Sequence, residues 1–307
     1  MRASLIVALS GLFLAPADPP HQVAVTRVFP QPGQIGLILA AADGTQERPL
    51  VTPADVDYNA TWATDRRAIP EHPEDTRIVS VDIATAAMSD LQAGRGIKFN
   101  PSLLKGDVVA YIRREGDEKG LHYSSGTRGP AGEIRTAAWS PDGSQVVFHK
   151  RVTFQRKPWV KTWSRHPKYA LTLTNGGPSF SPAGDRFAFV GQAENAKGAG
   201  VVVANVGSET STVVYRDPAR NVLGPQWCPS GDRIVFSIGV FNAFFNGFHG
   251  LFLKPGDRVE GGAQVAMVNP DGGGFTELTA GPNNNAFPSM APDGRRFVYR
   301  TFGPDGT

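Results

Sequence analysis

Apolar residues along the chain fall into short runs separated by corners rich in proline and glycine, and the runs have a β rather than a helical look. Trp139-Ser140-Pro141-Asp142-Gly143 leads into Val146-Val147-Phe148, and Phe180-Ser181-Pro182-Ala183-Gly184 leads into Phe187-Ala188-Phe189. Trp227-Cys228-Pro229-Ser230-Gly231 leads into Ile234-Val235-Phe236, and Met290-Ala291-Pro292-Asp293-Gly294 into Phe297-Val298-Tyr299. Phe99-Asn100-Pro101, ahead of Val108 to Tyr111, reads as a worn earlier copy. The prolines at 101, 141, 182, 229 and 292 are 40, 41, 47 and 63 residues apart. Each unit has one mechanical reading: a large apolar residue ends a strand, proline presets φ for the first corner, and glycine takes the left-handed position that other residues resist. The next strand is apolar enough to lie between neighbouring sheets.

A second corner follows later in the unit. Ala42-Asp43-Gly44-Thr45 comes after Ile35 to Ala40, and Pro270-Asp271-Gly272 after Gln264 to Val268, with Arg48 to Val51 and Phe275 to Leu278 as the outer strands. The unit is therefore a four-stranded antiparallel sheet of about 40 residues, which cannot bury both faces alone and must stack on its neighbours. Sheets repeated radially in this way predict an all-β chain, a β-propeller of four-stranded antiparallel blades. Six blades are preferred, with seven the alternative. The corner Gly303-Pro304-Asp305-Gly306-Thr307 has no strand after it, so either the first and last sheets merge or the ring is incomplete at the C-terminus, the reading adopted here.

The run Trp139 to Gly143 followed by an apolar strand, and Asn269 to Thr279, resemble the TolB-like, WD40-like (PD40) propeller repeats. They are also similar to the N-terminal propeller of tricorn-type proteases and to propellers attached to some peptidases and amidohydrolases. The resemblance covers most of residues 23 to 307 and is strongest from Ala138 onward. It implies a binding scaffold with contacts in the cell envelope, although the segment before Val23 is too short for the separate α/β domain of TolB itself. WD40 proteins of the G-protein kind fit less well, because the Trp-Asp dipeptide is missing.

Composition sharpens this picture. Gly 35 and Pro 25 among 307 residues are spread along the chain as turns, not clustered as in a linker. Lys and Arg number 31 against 28 Asp and Glu, a net charge of +3 that makes no case for nucleic acid. Met1 and Arg2 precede an uncharged apolar run from Ala3 to Leu14, and Ala15-Pro16-Ala17 offers small residues for cleavage. Residues 1–17 thus read as a signal peptide and 18–307 as the propeller, which places the protein in a secreted or periplasmic setting. The run is too short to span a bilayer.

Catalytic chemistry finds little to stand on. There is no Gly-x-Ser-x-Gly elbow, the six histidines are scattered, and Gly272-Gly273-Gly274 lacks the lysine and helix start of a phosphate loop. Asp55 and Asp57 read as solvated loop carboxylates, and Asn283, Asn284 and Asn285 alone do not furnish the channel metal of a lactonase-like propeller. No metal, cofactor or catalytic residue is assigned. The lone Cys228, inside a repeat, reads as a structural thiol.

Two insertions are the candidate binding surface. Arg156, Lys157, Trp159, Lys161 and Trp163 interleave charge with aromatic rings, either as a cationic surface for an anionic partner or as a long blade strand with solvated charges. Phe241, Phe244, Phe245 and Phe248 either pack over one end of the ring or form a contact patch. The expected function is that of a non-catalytic platform binding a protein or small ligand at a propeller mouth. The alternative is a propeller that gates substrate for a peptidase or amidohydrolase domain.

Overall fold

The computed structural model describes residues 22–28, 35–41, 43, 45–51, 58–62, 67–71, 78–92, 96–114, 118–154, 157–163, 177–191, 199–208, 210–240, 243 and 262–303. Among them 24 strands form seven antiparallel sheets, and there is no α-helix. The first sheet has β1 (Gln22–Val28), β2 (Ile35–Ala41) and β3 (Arg48–Val51). The second has β4 (Tyr58–Trp62), β5 (Arg67–Glu71), β6 (Ile78–Asp82) and β7 (Met88–Gln92). The third has β8 (Lys98–Leu103), β9 (Val109–Arg113), β10 (Gly120–Tyr123) and β11 (Arg128–Ala131). In the fourth are β12 (Ile134–Trp139), β13 (Val146–Phe154) and β14 (Lys157–Trp163). The fifth has β15 (Ser179–Phe180), β16 (Arg186–Gly191), β17 (Gly200–Asn205) and β18 (Ser211–Arg216). The sixth has β19 (Asn221–Trp227), β20 (Ile234–Gly239), β21 (Ala263–Val268) and β22 (Thr276–Glu277), and the seventh β23 (Asn284–Met290) and β24 (Phe297–Phe302). Strands within a sheet follow chain order, and sequential sheets pack face on face. The fold is a β-propeller with four-stranded antiparallel blades.

The corners close as their residues require. Gly143, Gly184, Gly231 and Gly294 sit at φ 73°, 74°, 78° and 68°, the region that costs glycine least. Their N–H groups donate to the carbonyls of Ser140, Ser181, Cys228 and Ala291 at 2.8 to 2.9 Å. The worn copy proves to be misplaced. Asn100 and Pro101 lie inside β8, and the corner that matches the others is Lys105-Gly106-Asp107, closed by the Leu104 N–H on the Val108 carbonyl at 2.8 Å. The sequence signal failed there because lysine stands where the other corners have proline, while Pro101 serves a strand irregularity.

Burial explains the apolar runs. β20 is buried at all six positions, because sheets cover it on both faces and strands flank it on both edges. It therefore reads as continuous Ile-Val-Phe and not as an alternation. The fifth and sixth sheets share one core containing Phe187, Phe189, Val201, Phe236 and Val268. Trp227 belongs to it at 6% exposure, with the Arg186 guanidinium 4.9 Å from the centre of its ring. Outer strands β18 and β22 are mostly exposed, as polar residues there demand.

Candidate functional site

The first strands of successive sheets are neighbours: β12 touches β15, β15 touches β19, and β19 touches β23. Their corner ends line a cavity of about 670 Å³. Five sheets contribute, through Ser102 to Lys105, Ala137 to Pro141 with Gly143, Gly177 to Pro182, Gly224 to Trp227 with Pro229, and Met290. Trp139, Phe180 and Trp227 supply aromatic surface, the corner prolines supply rigid apolar surface, and Lys105 is the single charged residue among the described residues of the lining. No histidine or carboxylate is among the described residues of that lining.

Two serines of this wall, Ser140 and Ser181, hold their corners together. The Ser140 hydroxyl donates to Asp142 at 2.5 Å and accepts the Gln145 N–H at 3.0 Å. Ser181 does the same between Asp185 and the Arg186 N–H, at 2.7 and 3.1 Å. The hydroxyls of Ser140 and Ser144, with the Ser144 N–H, hold the Asp142 carboxyl down to about 2, and the Ser181 hydroxyl lowers Asp185 in the same way. These hydroxyls are donors locked onto carboxylates, not nucleophiles beside a base. Cys228 takes the place of Ser140 and Ser181 in its own corner, where burial raises its thiol above the ordinary range.

A feature the repeat reading passed over shapes the channel wall. Asn100, Gly224 and Phe287 have φ of 51°, 58° and 57°, and each precedes a proline at a register shift of β8, β19 or β23. The bulge breaks the ladder where proline has no N–H to give. Phe287 is the unusual occupant, a bulky residue in a conformation that favours glycine or asparagine. It stays 42% exposed, donates its N–H to the buried Ser237 hydroxyl at 2.9 Å, and lies under the Arg300 guanidinium at 4.5 Å. Burial lowers that guanidinium to about 10. The available signal was the recurring Asn-Pro, Gly-Pro and Phe-Pro pair, which at Pro178, Pro225 and Pro288 precedes Pro182, Pro229 and Pro292 by four residues.

The structural-repeat residues Trp139, Pro141, Asp142, Gly143, Pro182, Gly184, Trp227, Pro229, Gly231, Pro292, Asp293 and Gly294 all lie in or beside these corners. For the candidate surface, Lys157, Trp159, Lys161 and Trp163 are on β14, described here by backbone alone. Arg156, Phe241, Phe244, Phe245 and Phe248 lie outside the described residues, as do residues 1–17, Asp55 and Asp57. The strand ends that flank the two insertions are nevertheless placed. Phe154 pairs with Lys157 and Gly239 with Ala263, which puts both on the side of the ring opposite the proline-glycine corners and the cavity.

On that opposite side Asn284 and Asn285 are structural clips. The Asn284 carbonyl accepts the Ala263 N–H at 3.1 Å, and Asn285 donates to the Gln264 side-chain oxygen at 2.9 Å, tying the seventh sheet to the sixth. Among the described residues no three His, Cys, Asp or Glu side chains group as metal ligands.

No family model matches the chain. No curated protein is detectably similar to it in sequence. Solved structures are. The β-propeller domain of the Trilobed protease from Pyrococcus furiosus, described as having an open velcro topology, matches at TM-score 0.60 and 9% identity, over 92% of this chain and 86% of that one. Acylaminoacyl peptidase from Pyrococcus horikoshii matches at TM-score 0.60 and 9% identity, over 92% of this chain and 47% of that one. A putative TolB from Agrobacterium tumefaciens matches at TM-score 0.51 and 17% identity, over 84% and 94%. The chain thus spans about half the length of the peptidase and 61% of that of TolB from Acinetobacter baumannii. At these identities the likeness establishes the fold alone, a β-propeller. No helix among the described residues is long and apolar enough to cross a membrane.

Proposed function

We propose that the chain is a non-catalytic platform that binds a protein or small ligand at the channel mouth of its propeller, after export directed by residues 1–17. The supporting observation is the wall of the cavity. Aromatic rings, prolines and one lysine converge there from five sheets, the Ser140 and Ser181 hydroxyls are committed to their corners, and no histidine or carboxylate is among the described lining residues. Such a wall suits recognition of an apolar or aromatic ligand surface. The ring has six blades in this reading, or seven if each of the seven sheets stands for its own blade. The secreted or periplasmic setting rests on the apolar run from Ala3 to Leu14.

A photo-crosslinking residue in place of Lys105 tests the site, with one in place of Gly207 as a control. Adducts from an envelope extract that form at 105 and not at 207 support the platform. Equal labelling at both positions, or hydrolysis of peptide or ester substrates by the purified chain, overturns it.

The peptidase propellers in the comparison favour a second reading, in which the ring gates substrate for a hydrolase domain. Sequencing the gene past codon 307 separates the two. A continuation with a serine-hydrolase elbow or an amidohydrolase His-x-His supports gating, and a stop codon removes it.

A further inference from the structure

The fifth and sixth sheets, which share one core, also meet in a second cavity, of about 390 Å³, on the corner side of the ring. β16 brings Arg186 to it, the corner between β19 and β20 brings Asp232 and Arg233, and the corner between β21 and β22 brings Asn269, Pro270 and Asp271. Two cations and two anions thus line one small space, yet none of the four pairs with another. The Arg186 Nε lies 3.7 Å from Asp185, which is not among the described lining residues, and Arg233 has no carboxylate partner among the described residues. Asp232 accepts the Ser230 hydroxyl and Asp271 the Gly273 N–H at 2.8 Å, which leaves each carboxylate with lone pairs to spare. Two buried atoms of the lining residues have no hydrogen-bond partner: Arg186 Nε, a donor, and the Asn269 side-chain oxygen, an acceptor. Leaving such atoms unmet is costly, so a bound group that meets them is stabilised.

The glycine run 272–274, which fits no phosphate loop, has a use here. A Cβ on Gly273 would meet the Asp271 Oδ1 at 3.2 Å and the Asn269 Nδ2 at 3.5 Å. One on Gly274 would meet the Asn269 Oδ1 at 2.9 Å and the Arg233 Nη1 at 3.1 Å. Bare glycines therefore let Asn269, Asp271 and Arg233 converge. Charge then selects the occupant. A simple anion would face Asp232 and Asp271, a simple cation would face the two guanidiniums, and a neutral polyol would strip water from four charges without replacing it. A zwitterion answers all four. Pro270 is the one bulky apolar residue among the described lining residues, so the ligand needs no large hydrophobic body. We propose that this cavity binds a free α-amino acid with a short polar side chain. Its carboxylate lies on Arg186 and Arg233, and its ammonium is held by Asp232, Asp271 and the Asn269 oxygen. The site shares no described lining residue with the 670 Å³ cavity, so it goes beyond the platform reading and does not depend on it.

The test titrates the full chain with L-serine, N-acetylserine and serinamide by saturation-transfer NMR, at about pH 6, where α-amino groups carry their proton. Serine is expected to bind, and each blocked derivative to bind about tenfold more weakly or worse, because each leaves one pair of charges unanswered. Arg233→Gln should bring serine down toward serinamide while leaving serinamide itself unchanged. Asp271→Asn should bring serine down toward N-acetylserine while leaving N-acetylserine unchanged. Those unchanged affinities separate loss of a contact from loss of the fold. Lys105→Ala, in the other cavity, should alter none of the three. N-acetylserine binding as tightly as serine overturns the proposal, because the site then takes a bare carboxylate such as a peptide C-terminus. So does a variant that weakens all three ligands equally, a loss of serine binding in Lys105→Ala, or absence of serine binding up to tens of millimolar. Crosslinked adducts at position 105 without serine binding would leave the platform standing and remove this site alone.

Discussion

At the scale of single residues, the corner glycines and the carboxylates beside them do most of the local work. Gly143 has only the Leu104 Cβ near the place of its own missing Cβ, at 3.9 Å, so Gly143→Val is opposed by its φ alone. It should destabilise by about 1 kcal/mol or somewhat more, measured by urea denaturation. At Gly239, φ 154°, an added Cβ would stand 2.4 Å from the Gly262 carbonyl, and backbone cannot step aside as a side chain can. Gly239→Ala should therefore lower the melting temperature more than Gly143→Ala, despite adding the same single methyl. Asp142 tests the hydroxyl clamp. Its carboxyl titrates at about 2 when folded against 3.8 ordinarily, so the clamp favours the folded corner above pH 3.8 and is lost as pH falls through about 2. A carboxyl NMR titration should show that low midpoint, and Ser140→Ala should move it back up, since the Ser140 hydroxyl is the largest cause.

At the scale of elements, the strand irregularities decide what faces the channel. Ser237 is fully buried and accepts the Phe287 N–H at the bulge of β23. Removing that acceptor leaves a donor without its partner, so Ser237→Ala should cost about 1 to 3 kcal/mol in chemical denaturation. A change below ~0.3 kcal/mol would mean that water replaces the hydroxyl. The two tryptophans that end β12 and β19 look equivalent in the repeat and are not. Trp227 is buried in the shared core, whereas Trp139 is half-buried, edge-on to Tyr123 at 6.5 Å with its indole N–H 3.4 Å from the Tyr123 hydroxyl. Trp227→Ala should cost roughly 3 to 5 kcal/mol and Trp139→Ala clearly less. The reverse order would show that the inter-blade core lies elsewhere.

At the scale of the whole molecule, stability is unevenly distributed. One core spans the fifth and sixth sheets, while the first and second share a separate, smaller cluster of Leu37, Leu39, Leu50, Val79 and Val81. Hydrogen exchange should find residues 186–191, 201–204 and 234–238 opening together and last, and Phe236→Ala should speed all three segments at once. The corners at 141, 182, 229 and 292 were legible because proline and glycine at a turn act locally: each restricts its own φ whatever surrounds it. The corner at Lys105 was not legible, because its left-handed Gly106 and Asp107 stand without the proline that marked the rest. The channel wall was harder still to read. Phe-Pro in a strand looks like any apolar pair until the register shows a bulge there, and Ser140 reads as a turn residue until its hydroxyl is found on Asp142. Short-range φ preferences and apolar run lengths are properties of the polypeptide itself, and they were enough to determine a radial stack of small antiparallel sheets. Which first strands meet around the cavity and which of two like tryptophans is buried depend on residues far apart in sequence being brought together. Those were settled only by the packing of one sheet against the next.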